Sequence, residues 1–341
     1  MSPLIIWTAL LAVLSAPRPE KCTLSPDQVQ WVQTAINGWT RVSREVLQLD
    51  MEPFPWTVLI GTTCVWHLEP DRRLLGGSDF ATDVSLQQAG RPMQVRVEKH
   101  TGLVQLPSGA AVAAAPTAFA AVYEAAPAGK APFFVLALPE VWRQDPKAAA
   151  EPRMEAIILG AFSHEVMHTR QIVDASRRVD EIRSRHTLPK DVDDDLIERR
   201  FRDVPGFAEA IEAETALFYR AAAATDAAER LLLAREALRL VDARHAKFFA
   251  GADAGFAEVE GLFLNMEGVA VWAAYNLSRV DPRFDIGIKD PSGRERSSWS
   301  QDAGFGLLLL IDKLVPDWRA RLVTPAMTSP LSILREAVTS A

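Results

Sequence analysis

The pentapeptide His164-Glu165-Val166-Met167-His168, an HExxH motif, constrains this chain more than any other stretch. Two histidines four residues apart share one face of an α-helix, about 6 Å apart along its axis, so both imidazoles can hold a single metal ion. The pattern therefore requires a helix. Its flanks supply one: Met154, Ile157, Ile158, Ala161, Phe162, Val166 and Met167 recur close to a 3.6-residue period. Pro152 stands near the first helical position, where the ring is tolerated. The histidines continue the edge that carries Ile157 and Ala161, so they are expected to point inward. Glu165 lies too far round to bind the same ion comfortably, yet is well placed to hydrogen-bond a water on it. One Zn²⁺ suits such a site, since neutral imidazole binds it well and its water titrates near pH 7. The plain alternative is a pair of core or surface histidines. With six His in 341 residues, the spacing is rare enough to be read as functional.

A catalytic zinc usually takes three protein ligands. Glu267 lies in the stretch 261–274, where Asn265 is the only other polar side chain. A helix apolar all round is buried, and a lone carboxylate there is costly unless paired or bound to metal. Gly268 beside it would let a second helix approach closely. Glu260, two turns earlier, offers a supporting or substrate-binding acid. The competitor as third ligand is Glu212, whose neighbours Glu209 and Glu214 give its helix a more polar, surface-like character. The plain alternative for Glu267 is a buried ion pair with Arg235 or Arg244.

HExxH with a distant Glu on a later helix resembles the gluzincin zinc metallopeptidases. Met266-Glu267-Gly268-Val269-Ala270-Val271-Trp272 also resembles the Glu-Gly-x-Ala-x-aromatic element of some bacterial members. The resemblance implies an N-terminal sheet whose edge strand receives an extended peptide, over a helical lobe, with zinc between them. It implies hydrolysis of peptide bonds in a peptide or protein substrate, with Glu165 as general base and His164, His168 and Glu267 as ligands. Some relatives have Tyr where Trp272 stands. That leaves the transition-state hydrogen-bond donor open among Tyr275, Tyr219 and His245. The reading from another class is a non-catalytic zinc-fold protein that holds a peptide or partner; an intact Glu165 argues against it.

The net charge of −7 speaks against a nucleic-acid partner. Residues 1–16 are apolar and end in small residues before Pro17, too short to span a bilayer and right for a signal-peptide core. Cys22 and Cys64, the only two cysteines, then make one disulfide the simplest expectation. Export to a periplasmic or extracellular location follows, with no membrane contact once the leader is removed.

The expected fold class is α+β and zincin-like: a small mixed sheet with helices over 17–150, and a mainly helical zinc-binding part over 151–341. A helix is expected over 24–49, one strand over 56–66, and a strand over 93–98 with 103–106 as its hairpin partner. The Ala-rich residues 109–127 read as helix, and 132–138 as a short strand. Further helices are expected at 206–223, 225–250, 256–276, 303–314 and 330–339. The run Asp191–Asp195 lacks the Gly and terminal Glu of a calcium loop and reads as a solvated stretch. Cys64 and His67 read as core. There is no GxSxG, phosphate-loop or GxGxxG motif.

Overall fold

A computed structural model describes residues 22–49, 54–69, 85–123, 130–284, 288 and 298–341. The leader expected over 1–16 lies outside the described residues. Helix α1 spans Pro26–Arg41 and runs into a π turn over Val42–Leu47. Ser25 starts it, accepting from the backbone of Gln28 while the Gln28 side chain accepts from Ser25 in return.

Five strands form the main sheet: β1 (Trp56–Ile60), β2 (Cys64–Glu69), β3 (Gln94–Lys99), β4 (Ala118–Tyr123) and β5 (Ala131–Ala137). Their order is β3-β2-β1-β5-β4. Only β1 and β5 pair in parallel. Alternation along the strands gives the sheet two apolar faces. Leu59, Trp66, Phe134 and Leu136 join the large core under the helices, where Phe162 meets Phe134 edge-on at 5.0 Å. Trp56, Val58, Phe133 and Val135 form a separate cluster on the opposite face.

The long helices follow: α2 (Met154–His168), α3 (Ile172–Arg183), α4 (Phe207–Ala223), α5 (Ala227–Phe248), α6 (Phe256–Val280), α7 (Trp299–Leu314) and α8 (Pro330–Ser340). The class is mixed α+β, a small N-terminal sheet followed by a mostly helical region. Helix α6 is buried almost from end to end, through Leu277, because its sequence offers no polar face. The close approach expected at Gly268 is made to Gly304 of α7. A Cβ on Gly268 would sit 2.7 Å from the Gly304 carbonyl oxygen, so each glycine is what lets the other helix in. Among the described residues, no helix is long and apolar enough to cross a membrane.

Three local expectations are corrected. The stretch 56–66 is two strands, because Gly61-Thr62-Thr63 turns the chain and β2 folds back antiparallel on β1. Leu103–Gln105 pairs with Ala111–Ala113 in a separate two-stranded sheet and not with β3. Most consequential, the Ala-rich stretch 109–127 contains no helix among its described residues. Ala118–Tyr123 is an edge strand paired with β5. Alanine favours a helix only where nothing else decides. Here Pro116 blocks one, and Phe119, Val122 and Tyr123 suit a pleated surface beside β5.

Cys22 and Cys64 are joined in a disulfide, tying the segment before α1 to the start of β2. His67 is 2% exposed and belongs to the core.

Candidate metal centre

Helix α2 starts at Met154, two residues beyond Pro152, and runs to His168. One side of it packs under the sheet through Ile158, Phe162 and Val166. The edge expected to point inward does so only at its C-terminal end. Ile157 is exposed and Ala161 half-buried, His164 is half-buried, and His168 is buried. The helix therefore runs from solvent down into the floor of a cleft.

Helix α6 crosses the C-terminal end of α2 and brings Glu267 to the two histidines. Glu267 Oε1 lies 3.1 Å from His168 Nε2, and Oε2 lies 3.3 Å from His164 Nε2. The two Nε2 atoms are 2.8 Å apart. Among the described residues, His164, His168 and Glu267 are the one group of three such side chains whose donor atoms cluster this closely. Glu212, the competitor, is exposed on α4 and takes no part.

The donor set fits a divalent cation. Zinc–nitrogen and zinc–oxygen distances of about 2.0–2.2 Å in a tetrahedral arrangement separate the donors by roughly 3.3 Å, close to what is found here. Glu267 Oε2, though buried, has no hydrogen-bond partner; its 3.3 Å contact to His164 is one of distance without hydrogen-bond direction. A buried carboxylate whose two oxygens each face an imidazole nitrogen, one of them without a hydrogen bond, is what a metal would satisfy. Protons compete with a metal for the same atoms. Burial opposes a charge on His168, but the Glu267 carboxylate outweighs it and pushes that imidazole up to about 9. Burial likewise works against the Glu267 charge, and His168 and His164 overcome it, holding the carboxyl far below its usual range.

Around this floor lies a cleft of about 810 Å³. It is lined by Ala118–Ala120 of the edge strand, by α3 and by the segment 190–194. Glu165 lines the cleft beside both histidines. The acidic run read as a solvated stretch is partly a wall of it. Asp191 and Asp193 are exposed, but Asp194 is half-buried and pushed up to about 6, first by burial and then by the charge of Glu267. Its position beside a buried carboxylate is a tertiary fact with no trace in the local sequence.

The three candidate transition-state donors are elsewhere. Tyr219 donates to Asp302 at 2.8 Å in the core, Tyr275 packs edge-on against Phe305, and His245 contacts Glu260 at 2.6 Å. None lines the cleft, whose donors among the described residues include Lys130, Ser176, Arg183, Lys190 and Gln301. Glu260 is likewise no part of the site: it is bound by Arg244. Arg244 does not pair with Glu267; its other partner is Glu214, which is 2% exposed. The surface reading of Glu214 is therefore wrong.

Two residues of the site carry no motif. Gln171 Oε1 lies 3.3 Å from His168 Nδ1, and Gln171 Nε2 donates to Asn265 Oδ1 at 3.4 Å. The signal available was spacing: Gln171 lies three residues beyond His168, and Asn265 two before Glu267. Compared with family models, curated proteins and solved structures, the chain matches none. The class of site is set by its own residues, a buried two-histidine, one-carboxylate cluster on the floor of an open cleft.

Proposed function

We propose that this protein is a zinc-dependent peptidase of the gluzincin type, with a zincin-like fold, acting on peptides or proteins outside the cytoplasm. One observation carries the reading. Two imidazole nitrogens and an orphaned carboxylate oxygen converge on the floor of a cleft that Glu165 also lines. His164, His168 and Glu267 would hold the ion. When bound there, zinc would supply an acidified water and a Lewis acid for the scissile carbonyl.

The chain's own residues do the rest. Glu165, beside the histidines yet outside their cluster, takes the proton of the attacking water and passes it to the leaving nitrogen. Among the described residues no strand pairs with the outer side of β4, and Ala118–Ala120 line the cleft. An extended peptide can add to that edge through main-chain hydrogen bonds, which puts a scissile bond over the floor. The Cys22–Cys64 disulfide suits an oxidising compartment. Intact-mass measurement on the mature protein should accordingly find a chain beginning near Ala16 or Pro17. Retained Met1 would count against export.

Elemental analysis and a peptide-library digestion test the activity. Wild type should hold one zinc and cleave; Glu267→Ala should weaken zinc binding by more than about tenfold, and Glu212→Ala should leave it intact. Zinc held without turnover of any peptide would favour the non-catalytic binding protein. Unchanged zinc affinity in Glu267→Ala would reduce Glu267 to a structural partner.

A further inference from the structure

We infer that Gln171 and Asn265 are positioning residues that fix the proton of His168 on Nδ1 and so reserve Nε2 for a metal. The assignment presupposes the zinc site proposed above and goes beyond its ligands.

The direction of the chain is forced from its far end. Asn265 is fully buried. Its Nδ2 faces two backbone carbonyls, Leu322 at 3.2 Å and Thr328 at 2.8 Å. Carbonyl oxygens only accept, so the amide nitrogen of Asn265 must be the group turned toward them. Its Oδ1 is then left facing Gln171, and an acceptor there requires Gln171 to present Nε2. Gln171 therefore turns Oε1 toward His168. That oxygen also only accepts, so Nδ1 of His168 must carry a proton. In a neutral imidazole the other nitrogen, Nε2, then has the free lone pair. Nε2 is the atom 3.1 Å from Glu267 Oε1 and 2.8 Å from His164 Nε2. Flipping either amide would set like groups against each other in a buried site, at Asn265–carbonyl or at Gln171–Asn265.

The anchor is itself held. Leu322 and Thr328 bracket a short segment in which Met327 takes a left-handed φ of 47°, sparsely populated for a residue with a side chain. Met327 is 4% exposed and packs into the core cluster that contains Met266. The two hydrogen bonds from Asn265 tie both ends of this turn to the middle of α6. The histidine's tautomer is thereby dictated by main-chain groups more than 150 residues away in sequence.

The test uses purified full-length protein, stripped and titrated with Zn²⁺ against a competing chelator. Gln171→Leu should weaken zinc binding by about 10- to 100-fold. In the zinc-loaded protein it should also remove the slowly exchanging downfield proton signal of the His168 Nδ1–H. Gln171→Met keeps the length and packing of the side chain but presents no oxygen to Nδ1, so it should lose affinity and signal as Gln171→Leu does. Wild-type affinity in Gln171→Leu would overturn the assignment. So would a loss in Gln171→Leu that Gln171→Met recovers, since that is the behaviour of a residue needed only for packing. His168→Ala serves as the reference. If it bound zinc like wild type, the zinc reading itself would fall, a result distinct from failure of the chain.

Discussion

Glu165→Gln should keep one zinc per chain and wild-type thermal stability while peptide hydrolysis falls by about 10²–10⁴-fold. The amide has the shape of the carboxylate but cannot accept a proton, so only the proton transfer is removed. The structure favours so clean a separation. Glu165 stands half-buried in the cleft lining, outside the group formed by His164, His168 and Glu267. No side-chain hydrogen bond of the described residues depends on it. Its one evident electrostatic effect is a contribution to holding the proton on His168. Parallel zinc analysis and rate measurements on the two proteins check the result. Near wild-type turnover would mean that another group acts as base. Loss of zinc would mean that Glu165 helps to hold the ion.

The floor of the site was legible because helices carry their geometry in local spacing. His164 and His168 share a face by period alone, and the all-apolar surroundings of Glu267 announced burial before any partner was visible. The disulfide was legible by elimination, there being only two cysteines. What failed were features set by distant partners. Ala118–Tyr123 has helix-friendly alanines, and its pairing with β5 outweighs them. Glu214 looked like a surface acid among other acids, because nothing near it in sequence reveals that Arg244 reaches it from the next helix. The Gln171–Asn265 chain was hidden for the same reason: each is an unremarkable amide until α2, α6 and the turn at 322–328 are packed together. Local period predicts which face a residue lies on; it does not predict what lies opposite.

The Arg244 cluster gives the largest stability effect to be expected. Arg244, Glu214 and Glu260 are 2%, 2% and 5% exposed. The guanidinium reaches Glu214 at 3.0 Å and Glu260 at 2.8 Å. It also lies 5.3 Å from the ring centres of both Phe207 and Phe249. One guanidinium cannot fully compensate two carboxylates in a dry site. Glu260 has the better share, since His245 adds a second partner at 2.6 Å. Against burial, Arg244 and the contact with His245 pull it down to about 2. Glu214 has only Arg244, and burial prevails, pushing it up to about 7.

Arg244→Leu should therefore cost roughly 3–5 kcal/mol at pH 8, because it leaves two buried acids without their cation. Glu214→Gln should behave in the opposite sense and depend on pH. A folded-state value above the ordinary 4.5 means that the native protein holds this proton more tightly than the unfolded chain does. The resulting stability is complete below pH 4.5 and is lost as pH rises through 7. Gln, always neutral, does not lose it. Relative to wild type, Glu214→Gln should gain on the order of 3 kcal/mol between pH 4 and pH 8. Urea unfolding of both variants across that range decides the matter. A Glu214→Gln difference that does not change with pH would show Glu214 to be an ordinary ionised salt-bridge partner, and Arg244 to be serving both acids equally.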